Sequence, residues 1–78
     1  MTIDHYHDYC ENEYNFVKNS IACNKLTGIY APKEIADNAI QRLLGAGYLA
    51  MRMGVPYADI ERELNFYKEK IKEVCETS

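Results

Sequence analysis

Gly54, Val55 and Pro56 interrupt two long runs of helical periodicity, and this break constrains the chain more than any other feature. Before it, Ile35, Ala36, Ala39, Ile40, Leu43, Leu44, Ala46, Gly47, Leu49, Ala50 and Met53 recur mostly at spacings of three and four. After it, Ile60, Leu64, Tyr67, Ile71 and Val74 form the cleanest apolar stripe in the sequence. Proline fixes φ and lacks an N–H, so it suits the first turn of a helix and not the interior. Two helices joined by a tight turn follow, with Pro56 opening the second.

A third pattern precedes these. Ile3, Tyr6, Cys10, Tyr14, Val17 and Ile21 make one stripe and predict a helix over 3–23. Thr27-Gly28 supplies a turn, and Ala31-Pro32-Lys33-Glu34 places proline at a first helical position with an acid in the first turn. The second helix is therefore expected over 32–53 and the third over 56–75. Gly45 and Gly47 each cost about 1 kcal/mol relative to alanine, which leaves two outcomes: a continuous helix in which close packing offsets the cost, or a break at 45–47. The breadth of its apolar surface makes the second helix the expected central and most buried element. No strand pattern competes, so the fold class is all-α: a small three-helix bundle, one helical domain over 1–78. If the order is up, down, up, helices one and three run parallel and Cys23 and Cys75 fall at the same end.

At 78 residues the chain is near the lower size limit for independent folding, which makes a homodimer the expected way to complete the core. The formal charge is −3, unevenly placed. Residues 1–16 carry Asp4, Asp8, Glu11 and Glu13 without a lysine or arginine, whereas 17–55 hold Lys18, Lys25, Lys33, Arg42 and Arg52 against Glu34 and Asp37. No broad basic footprint for nucleic acid emerges. The first residues lack a basic-then-apolar signal pattern and no apolar run approaches membrane-spanning length, so the expected location is cytoplasmic. Three cysteines, an odd number, argue against a secreted disulfide framework. Thirteen helical residues separate Cys10 and Cys23 by about 20 Å, too far for a bond.

The run Leu49 to Leu64, LAMRMGVPYADIEREL, resembles the core of a helix-turn-helix. Leu49, Ala50, Met53, Gly54, Val55 and Ile60 match the buried positions of that motif around its glycine turn, although the apolar residue wanted at Glu63 is displaced to Leu64. The resemblance implies a small DNA-binding regulator, with Lys25, Lys33, Arg42 and Arg52 supplying phosphate contacts. Tyr57, Ala58, Asp59, Glu61 and Arg62 would face the groove, and the acids among them would repel phosphates. An ordinary turn between packed helices is the plainer account.

Two other constellations invite chemistry. His5, His7, Cys10 and Glu11 crowd the run HYHDYCENE, but on a helix His5 and His7 point in different directions, so the fit to a metal site is incomplete. Asp8 with Glu11, then Glu34 with Asp37, resemble the paired carboxylates by which the all-helical MazG-like nucleotide pyrophosphohydrolases hold magnesium, with Asp8 departing from that family's glutamate. That resemblance implies a Mg-dependent pyrophosphohydrolase. Neither displaces a reading without catalytic residues, metal or cofactor.

Seven tyrosines and no tryptophan say more. Tyr6, Tyr14 and Tyr67 lie on core stripes, while Tyr9, Tyr30, Tyr48 and Tyr57 fall at edges and connections. Tyrosine offers a large apolar body with a polar tip, suited equally to finishing a small core and to recognition surfaces. The sequence therefore points to a small non-enzymatic, regulatory or inhibitory protein-binding module of the phage or mobile-element accessory type, with Asp4, Tyr9, Glu11, Glu13, Tyr30 and Tyr57 as contact residues.

Overall fold

A computed structural model describes residues 2–77. Three helices, α1 (Ile3–Thr27), α2 (Pro32–Arg52) and α3 (Tyr57–Glu76), form an all-α bundle with no strand among the described residues. A 25-residue helix is about 37 Å long. The molecule measures 41 × 16 × 16 Å, so all three helices lie along one axis. The topology is up, down, up, and each helix packs on both others.

The helix ends explain where the observed boundaries depart from the expected ones. α1 runs four residues past Cys23, because Gly28 (φ 65°) caps it through an N–H to Asn24 O bond of 2.6 Å. The Asn24 side chain then stitches the connection: its Nδ2 donates to Tyr30 O at 2.6 Å and its Oδ1 accepts from Tyr30 N at 2.9 Å. At the other end the Thr2 N–H donates to His5 Nδ1 at 3.1 Å, with histidine in the place a glutamate takes in a capping box.

α2 starts at Pro32 after the extended Ala31 and passes unbroken through Gly45 and Gly47. It closes at Arg52 rather than Met53 in a Schellman motif: Val55 N–H reaches Ala50 O and Gly54 N–H reaches Met51 O, both at 3.1 Å. That motif needs a left-handed residue, which Gly54 supplies at φ 100°. Pro56 lies outside α3 as its cap residue (ψ 138°), and its carbonyl accepts from Asp59 N and Ile60 N at 3.2 Å each.

The core takes Tyr6, Cys10, Val17 and Ile21 from α1, Ala36, Ala39, Ile40, Leu43 and Ala50 from α2, and Ile60, Tyr67, Ile71 and Cys75 from α3, with Val55 closing the turn. α2 contributes the most buried residues but not the whole apolar surface expected of it, since Leu44, Leu49 and Met53 are exposed. Its core side is small for a physical reason. Tyr6 crosses beneath α2 and donates to Leu43 O at 2.9 Å, and a Cβ at Gly47 would stand 3.0 Å from both Tyr6 Oη and Ile60 Cγ2. The glycine cost within α2 thus makes room for a buried, hydrogen-bonded tyrosine.

The turn at 53–56 joins the two antiparallel helices of a hairpin. A helix-turn-helix crosses its helices at about 90–120°. α3, about 30 Å long at the helical rise, cannot lie across a body 16 Å wide. Two of the motif's packing positions, Leu49 and Met53, are also solvent-exposed. Ala50, Val55 and Ile60 are buried because they close the hairpin.

Candidate docking face

α1 presents two flanks, and they are built differently. Toward α3, three rungs share a constant offset of 56 residues, as parallel helices in register require. His7 Nδ1 meets Glu63 Oε2 at 2.9 Å, the Tyr67 hydroxyl donates to Glu11 Oε2, and Lys70 Nζ sits 4.6 Å from the Tyr14 ring centroid. Lys18 covers the same ring at 4.7 Å, and the His7 ring meets Tyr67 edge-on at 5.8 Å. The Glu63 hydrogen bond raises the His7 pKa above its ordinary value, outweighing partial desolvation. Burial and the Glu11 hydrogen bond push the Tyr67 hydroxyl well up. This seam is closed.

Toward α2, the residues Tyr9, Glu13, Phe16, Ser20 and Cys23 recur at spacings of three and four and share one flank of α1. Ile35, Asn38, Arg42, Leu49 and Met53 fall likewise on one side of α2. Between the helices lies a groove of about 310 Å³ whose lining includes Phe16, Ser20, Cys23, Tyr30, Ile35, Asn38 and Arg42. Phe16 is 57% exposed and Tyr30 61%. Ser20 and Cys23 are too small to fill the space between them. The one ion pair here is central: Arg42 Nε donates to Glu13 Oε1 at 2.5 Å, and the guanidinium stands 5.4 Å from the Phe16 ring centroid.

No lysine lines this groove. Lys18 and Lys70 stand between α1 and α3, and Lys33 and Lys72 line a separate depression between α2 and α3 with Asp37 and Cys75. Cys23 and Cys75 do lie at the same end of the bundle, but on opposite flanks of α2, and they form no disulfide.

The contact residues expected from sequence divide. Tyr9, Glu13 and Tyr30 share the α1–α2 side, but Tyr9 and Tyr30 stand at its opposite ends and Glu13 is engaged by Arg42. Glu11 is on the opposite flank, held by Tyr67, while Asp4 is exposed in the first turn of α1 and Tyr57 is exposed at the start of α3. Phe16, Ser20, Cys23, Ile35 and Asn38 were not among them. Their signal was a second stripe, Tyr9-Glu13-Phe16-Ser20-Cys23, one flank away from the core stripe.

The residues suited to phosphate do not converge. Lys33 and Arg52 occupy opposite ends of α2, about 29 Å apart at the helical rise, and Lys25 lies in the last turn of α1. Arg42 is paired with Glu13, and Arg52 lies 5.9 Å from the Tyr48 ring centroid. The four carboxylates of the pyrophosphohydrolase resemblance are likewise apart. Glu34 lines the α1–α2 groove and Asp37 the α2–α3 depression, and the Glu13–Arg42 rung sets Glu34 level with Ile21, ten residues or about 15 Å along α1 from Glu11.

Among the described residues no group of three or more His, Cys, Asp or Glu side chains is placed to hold a metal ion. Cys10 of the HYHDYCENE run is buried, which pushes its thiol up to about 11, so it is neither a ready ligand nor a nucleophile at neutral pH. No helix among the described residues is long and apolar enough to cross a membrane.

Comparison of the chain with family models, with curated proteins and with solved structures finds no significant match.

Proposed function

We propose that this chain is a small non-enzymatic protein-binding module of regulatory or inhibitory type, acting through the α1–α2 face. The observation that carries the reading is the open groove flanked by exposed Phe16 and Tyr30, with Arg42 at its centre and no lysine in its lining. Protein interfaces concentrate aromatic residues, methionine and arginine and are poor in lysine at their centre. A large aromatic side chain beside a partly desolvated arginine is also the usual make-up of a binding hot spot.

The test uses the chain as bait in a native lysate of its source, compared with Phe16→Glu on the face and Tyr48→Glu on the far flank of α2. A partner retained by the wild type and by Tyr48→Glu, and lost by Phe16→Glu, is the expected result. Equal recovery with Phe16→Glu overturns the reading. So does steeply salt-dependent binding to random duplex DNA that weakens in Arg52→Ala, because that dependence reports phosphate neutralisation.

A further inference from the structure

We infer that the α1–α2 face is a self-complementary interface between two copies of this chain, paired antiparallel about a two-fold axis beside Phe16 and Arg42. The inference rests on the reading of this face as a protein-docking surface and names its occupant.

Phe16 lies within a residue of the middle of α1 (Ile3–Thr27), and Arg42 is the middle residue of α2 (Pro32–Arg52). In a two-fold interface every contact of residue i with j is repeated as j with i, so an axis at mid-length superposes the full lengths of the two bundles. Each end of one copy then meets the opposite end of the other.

Those ends suit each other. One carries Tyr9, Leu49 and Met53, and the other carries Tyr30 with Ile29 beside it in the connection, all exposed and uncharged. Near the axis the Glu13–Arg42 pair would be repeated in reverse, two acids facing two bases, while Glu34 adds one acid per copy farther along the groove.

A large apolar or aromatic side chain presents roughly 150–250 Å² when fully exposed. Tyr9, Phe16, Ile29, Tyr30, Leu49 and Met53 are 38–70% exposed, which amounts to roughly 500–800 Å² per copy and reaches the half-share of a standard interface. A 78-residue core, marginal alone, gains from covering that surface.

Light scattering and sedimentation equilibrium of the full chain over a wide concentration range test the inference. The expected wild-type mass is twice the 9.0 kDa of one chain. Phe16→Glu at the axis and Met53→Glu at one end should each weaken dimerisation by roughly 100-fold, while Tyr48→Glu leaves it unchanged. Circular dichroism keeps the test clean, because all three positions are exposed and helicity should persist. A wild type that stays at 9.0 kDa up to about 1 mM, or dimerisation unaffected by both face variants, overturns the second-copy assignment. A monomer whose capture of a cellular partner is still abolished by Phe16→Glu leaves the docking reading standing. A monomer with unchanged capture removes both.

Discussion

The two flanks of α1 hold similar ingredients and reach opposite ends. On the α3 side, aromatic rings, acids and bases meet one another within the chain, as His7 with Glu63, Glu11 with Tyr67 and Tyr14 with Lys70. On the α2 side, Tyr9, Phe16 and Tyr30 stand beside an acid and a base, yet the rings face solvent and only Glu13 and Arg42 are paired. The difference lies in the side chains that each neighbour presents at those levels. Parallel α1 and α3 keep a fixed offset, so complementary groups placed one per helical turn meet at every level. Antiparallel α1 and α2 meet through small residues at the core, and their outer side chains are separated by a groove. Composition therefore does not distinguish a surface that closes on itself from one that remains open.

The sharpest way to break this contrast is to truncate one aromatic from each flank. Tyr67→Ala removes a buried ring and its hydroxyl, and should cost about 3 kcal/mol or more of stability. Phe16→Ala should stay within about 0.5 kcal/mol when urea unfolding is measured at concentrations where the chain is monomeric. Comparable losses would show that the α1–α2 side is structural.

The glycines of α2 sharpen it next. Gly45 has nothing within 4 Å of its would-be Cβ, so Gly45→Ala should stabilise by up to about 1 kcal/mol through helix propensity alone. Gly47→Ala carries the same gain against a 3.0 Å approach to Tyr6 Oη and Ile60 Cγ2. Replacing the tyrosine removes one of those two atoms. Gly47→Ala should therefore be better tolerated in a Tyr6→Phe background, by about 1 kcal/mol in a double-mutant cycle. Strict additivity would mean that the hydroxyl is not what the glycine accommodates.

The smallest effect concerns the exposed rung. The folded-state pKa of His7 is raised, mainly by its hydrogen bond to Glu63, so the contribution is complete below the ordinary histidine value and lost as pH rises through the folded one. His7→Gln should lower stability by under about 1 kcal/mol near pH 6 and by nothing measurable near pH 9. A penalty that grows with pH would contradict the ion-pair assignment. Thermal melts of both proteins across that range provide the comparison.

Helices and their stripes were legible because periodicity of three to four and the signals Thr27-Gly28, Pro32 and Gly54-Val55-Pro56 act locally. The same locality explains the errors at the ends. Extension of α1 to Thr27 depends on the Gly28 cap and the Asn24–Tyr30 stitch behind it, and the place of Pro56 outside α3 depends on its ψ, none of which a stripe records. The docking face was half legible. Tyr9, Glu13 and Tyr30 could be singled out as aromatic or acidic groups off the core stripe, but Phe16 gains its meaning only from the side of α2 that it faces. Glu11 and Glu13 read alike in sequence, yet two positions on a helix are about 200° of rotation, which sends one to Tyr67 and the other to Arg42.

The sequence by itself determined three amphipathic helices, their order and the sharp stop between the second and third, since each follows from side-chain spacing and from the backbone limits of proline and glycine. Tertiary structure alone decided that LAMRMGVPYADIEREL is a hairpin instead of a crossed pair, that Gly47 serves Tyr6, and that one flank of α1 closes while the other stays open. The physical reason is that crossing angle and register are properties of two helices packed together. No spacing within a single helix encodes them.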